Sequence, residues 1–187
     1  ILRLSGANTF AGGLTISAGT LQFTTVGNTG GGPNNLGQGA ITLNGGILSF
    51  VGDGAANSQS TNRTIFGTAT NSNLAANGTN GATITYAGNI DLTGFPGSAS
   101  LILSGTGAGF ITGGISMSGN SADIQPQSGN WTFSGTPSVL VDDFIVTGAS
   151  VVVNLNSTGV LTWGSGSSTS PNFYLRGGAV MNLGADD

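Results

Sequence analysis

Cysteine, histidine, lysine and glutamate are all missing from this chain of 187 residues. Without cysteine there are no disulfides and no thiolate metal sites. Positive charge is limited to Arg3, Arg63 and Arg176. Three scattered arginines cannot neutralise a useful number of phosphates, so nucleic acid is excluded as a partner. Charged residues make up 5% of the chain, against about a quarter in an ordinary soluble domain. Long apolar runs are absent too: nothing approaches the roughly eighteen residues of a membrane-spanning helix, and no membrane insertion is expected. Ile1-Leu2-Arg3-Leu4 lacks the basic start and apolar stretch of a signal peptide, and the chain starts and stops in mid-pattern. A mature piece or an excerpt of a longer protein is the expectation.

What is present is glycine, 35 of them, with Ser, Thr and Asn around short aliphatic runs. Hydrophobic residues reach 37%, enough to fill a core and too many for charge-driven disorder. Apolar residues recur at intervals of two rather than 3.6, as in Leu14-Thr15-Ile16-Ser17, Thr83-Ile84-Thr85-Tyr86 and Val151-Val152-Val153-Asn154-Leu155. Such alternation, punctuated by Gly, Asn, Ser and Pro, predicts short strands joined by tight turns, with little or no helix.

The runs repeat. Thr15-Ile-Ser-Ala-Gly-Thr-Leu-Gln-Phe23 and Thr42-Leu-Asn-Gly-Gly-Ile-Leu-Ser-Phe50 share one pattern at an offset of 27 residues. Asn154-Leu-Asn-Ser-Thr-Gly-Val-Leu-Thr-Trp163 carries it with one insertion, and residues 83–92 carry a looser copy. Period-two geometry sends Ile16, Leu21 and Phe23 to one side and Thr15, Ser17, Thr20 and Gln22 to the other, with Gly19 at a corner. Stacked phrases would form a parallel β-solenoid. Ile16 would lie near Leu43 and Leu155, and Phe23 near Phe50 and Trp163; Leu21, Leu48 and Leu161 complete the predicted core stack. Coils of about 20 to 27 residues would give roughly seven to nine turns in one domain over residues 1–187. Residues 24–38, 52–62 and 67–81 are polar and glycine-rich and read as loops bulging from the coil edges.

The stretch Gly6–Phe23, GANTFAGGLTISAGTLQF, resembles the passenger-associated repeat of bacterial autotransporters. That repeat reads close to L-x-L-S-G-x-N-T-Y-x-G-G-T-x-I-x-x-G-T-L. Leu2, Leu4, Ser5, Gly6, Asn8, Thr9, Gly12, Gly13, Ile16, Gly19, Thr20 and Leu21 match, while Phe10 and Leu14 stand where Tyr and Thr are customary. Residues 36–50 are similar to the usual continuation. The resemblance implies a right-handed, single-stranded parallel β-helix outside a bacterial cell, serving as stalk or adhesin and exported through a C-terminal barrel. No such barrel is recognisable before Asp187. Repeats of this kind also occur in large surface proteins without one.

Chemistry-bearing residues are few. The adjacent Asp142-Asp143 is the one feature that looks catalytic, since polysaccharide-cleaving β-helices use aspartates. A glycosidase, however, needs two carboxyls at set separations, usually with cationic or histidine support. Set between Val139-Leu-Val141 and Phe144-Ile-Val146, the pair reads as a turn. Asp53 and Asp91 fit no calcium-loop spacing, and Gly30-Gly31-Gly32 lacks the residues of a phosphate cradle. Asn62, Asn77, Asn130 and Asn156 begin Asn-x-Ser/Thr triplets, as expected by chance in an Asn- and Thr-rich chain. Thr15/Ser17, Thr42/Asn44, Thr83/Thr85, Ser116/Ser118 and Thr132/Ser134 suggest an ice-binding ladder, but their mixed identity spoils the required lattice. Trp131, Trp163, Tyr86 and Tyr174 are candidates for stacking on sugars.

The sequence therefore predicts a non-enzymatic, extracellular structural rod with no cofactor and no metal. Its expected partners are itself, by end-to-end stacking into a filament or by continuation in a longer chain, and surface glycans. A carbohydrate-binding or polysaccharide-cleaving helix is the alternative, and an ice-binding solenoid the third.

Overall fold

In a computed structural model the chain is described over residues 1–116, 122–135, 140–141, 143–157, 162–163 and 172–184. It is an all-β parallel solenoid whose strands visit three faces in rotation. The first face, sheet one, carries β2 (Leu14–Ile16), β4 (Ile41–Asn44), β7 (Ile65–Ala69), β10 (Ile90–Asp91) and β13 (Ile115–Ser116). Sheet two is the longest, with β1 (Leu2–Arg3), β3 (Thr20–Phe23), β5 (Ile47–Phe50), β8 (Ser72–Ala76), β11 (Ser100–Gly105), β14 (Asp123–Pro126), β17 (Phe144–Thr147) and β20 (Phe173–Arg176). Sheet three holds β6 (Gln59–Thr61), β9 (Thr83–Tyr86), β12 (Ala108–Ile111), β15 (Gly129–Gly135), β18 (Val151–Ser157) and β21 (Val180–Leu183). A parallel pair, β16 (Leu140–Val141) with β19 (Thr162–Trp163), continues the rotation beyond sheet one. A 3-10 turn at Ala55–Asn57 is the sole helical element among the described residues.

Every named strand pairing is parallel, each strand lying on its counterpart one coil away. The 27-residue offset is the register itself: Thr15 pairs with Thr42, and Phe23 with Phe50. Later steps vary, from 26 residues between Leu48 and Leu74 to 29 between Leu74 and Leu103 and 20 between Ile124 and Phe144. About six turns are shown; the expected count of seven to nine is not confirmed.

Alternation fills the interior. Along β3 and β9 every second residue is buried. Leu2, Leu21, Leu48, Leu74, Leu103 and Pro126 form one continuous file down sheet two. Aromatic rings meet in layers, Phe23 on Phe50 at 5.6 Å between centroids and Phe144 between Phe133 at 5.4 Å and Phe173 at 5.6 Å.

Two predicted loops contain strands. Residues 67–81 include β8 and the end of β7, with Leu74, Ala75 and Ala76 buried; residues 52–62 include β6. Small residues concealed both, because the strands are held by backbone ladders and offer few large side chains. Nor does the segment 24–38 bulge away. Val26, Asn34, Asn35 and Leu36 are buried in it, and it lies against β6 as a substitute for a strand.

Candidate functional site

Asp143 immediately precedes β17 and takes part in a coil-to-coil polar ladder. Its backbone N–H donates to Asp123 Oδ1 (3.2 Å), and its Oδ1 accepts from the Asn172 backbone N–H (2.7 Å) and Nδ2 (3.3 Å). Asp143 thus joins three successive strands of sheet two at their entry, by its N–H on one side and its carboxylate on the other. Asp142 lies outside the described residues.

Asp53 does the same at another corner. Its Oδ1 accepts from Thr79 Oγ1 (2.7 Å) and Asn80 Nδ2 (2.8 Å), and its main chain bridges to Thr79 one coil on. Those donors, Thr79 first, hold its carboxyl below the usual aspartate range. Asp91 Oδ1 accepts the Thr93 N–H within one turn. No group of three metal-ligating side chains occurs among the described residues.

The predicted core residues Ile16, Leu21, Phe23, Leu43, Leu48, Phe50 and Leu155 are buried. Register separates some of the expected neighbours. Leu155 lies on sheet three between Phe133 and Leu183, not above Ile16 and Leu43. Phe50 is followed in its file by Ala76, whereas Trp163 pairs with Val141 in the separate two-stranded sheet. Leu161 and the Trp163 side chain lie outside the described residues. Alternation marks a residue as inward but does not say which of three faces it serves. The polar pairs divide likewise: Thr15/Ser17, Thr42/Asn44 and Ser116 flank sheet one, and Thr83/Thr85 and Thr132/Ser134 sheet three. Ser118 lies outside the described residues. A single flat lattice does not form from strands on two faces.

Trp131 and Tyr86 are fully buried, which removes them from any surface role. Tyr174 packs instead under Arg176, whose guanidinium carbon is 4.1 Å from the ring centroid. The Asn-x-Ser/Thr side chains at Asn62 and Asn77 hold structure, accepting the Thr29 N–H and donating to Ser49 respectively.

Two built features remain. The first is an asparagine-stitched clasp at the N-terminal coils, where residues 6–13 lie over residues 34–39. Asn8 and Asn34 form an isolated antiparallel bridge, and Asn8 Nδ2 donates to the Asn35 carbonyl at 2.7 Å. Asn35 Oδ1 accepts from Thr24 N, Thr24 Oγ1 and Thr25 N, while its Nδ2 donates to the Gly6 carbonyl. Gly37, at φ +64°, sits under Phe10: a methyl there would come within 2.5 Å of the ring. Beneath the clasp, Arg63 is 1% exposed and donates to the carbonyls of Gly39, Gly37 and Leu36. Burial lowers its affinity for the proton. Nothing in the sequence pattern separates this arginine from the other two.

The second is a shallow groove of about 560 Å³ along the junction of sheets two and three, spanning four coils from Gly78–Thr83 past Thr106 and Asn130 to Ser150 and Val152. Its floor is low because the corners at Gly105 and Gly129 are tight; both have positive φ, and a Cβ on Gly105 would strike the Ala76 carbonyl at 2.1 Å. One coil earlier the corner is the longer loop of residues 77–82, which forms a wall held by Asp53.

No curated protein and no solved structure matches the chain significantly. One family model does: the passenger-associated-transport-repeat matches residues 1–23, the stretch that supplies β1, β2, β3 and the upper half of the clasp, so the opening of the chain is similar to that repeat.

Proposed function

We propose that the chain is a non-enzymatic structural segment of a bacterial surface or secreted protein, a passenger-type β-helix serving as a rigid stalk. One observation carries this reading: a matched passenger repeat is built directly into an uninterrupted parallel ladder, with Leu2, Leu21, Leu48, Leu74, Leu103 and Pro126 in one inner file. Lateral hydrogen bonds and a stacked interior resist bending, and a surface with few charges changes little with salt. The aspartates favour the structural reading, since Asp53 and Asp143 are engaged in tying coils together.

Surface location is tested by antibody labelling of intact producing cells, with protease shaving as the companion measurement. Labelling that is lost on shaving supports the stalk; labelling only after permeabilisation refutes it. End-to-end stacking is a second reading, favoured by the exposed Leu2, Leu175 and Leu183, which lie in register with the buried Leu21, Val146 and Leu155. Parallel edges meeting head to tail do not close on themselves and would grow as a filament. Sedimentation over a range of concentrations decides: polymers support it, and a constant monomer removes it.

A further inference from the structure

The groove at the junction of sheets two and three is absorbed by neither the stalk nor the filament reading. Its volume, about 560 Å³, falls within the range of roughly 300 to 1,000 Å³ usual for ligand sites. Four coils at about 4.8 Å spacing give it a length on the order of 15 Å, which suits an extended chain better than a compact small molecule. No charged side chain lines it. Its lining is hydroxyl, amide and main chain together with the small apolar side chains of Ala82, Ala108 and Val152, and several of the polar groups are open. Among the described residues, no hydrogen bond engages Thr106 Oγ1 or Ser150 Oγ, and Asn130 accepts from Asn154 at Oδ1 while its Nδ2 makes none. Thr106, Asn130 and Ser150 are all exposed.

An aromatic surface stands beside it. In β12 the pattern of alternate burial turns Phe110 outward, two positions along the strand from the groove-lining Ala108. Its neighbours in register are Thr85 on one side and, on the other, the buried Thr132, whose hydroxyl accepts from Asn154. A half-buried ring beside the Thr85 position, next to an uncharged groove of mixed polar and small apolar groups, is the chemistry that takes a sugar ring: the apolar face of the pyranose on the aromatic and its hydroxyls on the polar part of the lining. Charged glycans find no counter-ion there.

We propose that this groove, with Phe110 at its margin, binds a neutral oligosaccharide chain lying along the solenoid axis. The inference does not depend on whether the rod serves as a stalk. The experiment titrates the 187-residue chain with cellohexaose, laminarihexaose, mannohexaose and N-acetylchitohexaose, each followed by backbone amide shifts, with oligogalacturonate as the charged comparison. At least one neutral hexasaccharide is expected to bind at millimolar concentration or below, shifting amides of residues 105–110, 129–132 and 150–152. Phe110→Ala should weaken that binding about tenfold. The exposed double variant Thr106→Val/Ser150→Ala should weaken it several-fold with an unchanged circular dichroism spectrum. The proposal is overturned if none of the four shifts those amides, if the variants bind as well as the parent, or if oligogalacturonate binds equally tightly.

Discussion

At the scale of the residue, two polar groups have unusual surroundings, one in the interior and one at the surface. Tyr86 is fully buried in β9, and its hydroxyl has no hydrogen-bond partner among the described residues. Burial pushes its phenol well above the ordinary tyrosine range. An unpaired buried hydroxyl costs about 1–3 kcal/mol, so Tyr86→Phe should stabilise the fold by about 1 kcal/mol. In a chain of this size, a thermal melt should then shift upward by about 2–4 °C; an unchanged or lower midpoint would show that the hydroxyl is satisfied. Asp53 works in the opposite sense. Its carboxyl is held below the usual range by Thr79 and Asn80, so its contribution is present above the unfolded value, near pH 4, and is lost as pH falls through the folded value. Melting midpoints followed from pH 6 to pH 2 should therefore drop less steeply for Asp53→Asn than for the parent.

The element scale shows what the motif does. In isolation, GANTFAGG, residues 6–13, looks like an uninformative turn. In the structure its Asn8 and Phe10 close over Asn34, Asn35 and Gly37, so half of the device lies in the next coil. Asn35 is 4% exposed and its Oδ1 serves three donors. Asn35→Ala leaves those donors without their partner and should cost about 1–3 kcal/mol, read as a lower midpoint in urea with an unchanged slope. Some glycines carry a related message. Gly67 makes room for the Phe95 ring and Gly109 for the Trp131 ring, each at 2.4 Å from a hypothetical Cβ. A glycine inside a strand was indistinguishable in the sequence from one at a turn, and for that reason residues 67–81 read as a loop. The 27-residue offset was legible because coils one and two carry the same side chains at the same register. The phrase at residues 154–163 kept the alternation but belongs to sheet three and the β16–β19 pair, since inward and outward are written in the sequence and the choice of face is not. The groove was illegible for a simpler reason: it arises from a difference in loop size between successive corners, and Phe110 carries no mark of lying beside it.

For the whole molecule, scarcity of charge becomes a property of the surface. Trypsin has only Arg3, Arg63 and Arg176 to attack. Arg63 is 1% exposed and held by three carbonyls, whereas Arg3 lies in the exposed strand β1 and Arg176 is exposed beside Tyr174. Native digestion should leave the chain uncut at residue 63, with any cleavage confined to residues 3 and 176, as intact mass would show. Cutting at Arg63 under native conditions would mean that the clasp opens readily. The uneven spacing of the coils has a further effect. Strand meets strand in register whether 20 or 29 residues separate them, because surplus chain leaves at the corners and rejoins at the next face. A corner can therefore lengthen, shrink or acquire new chemistry while the ladder beneath it stays as it was, and each turn of the rod is free to carry its own ornament.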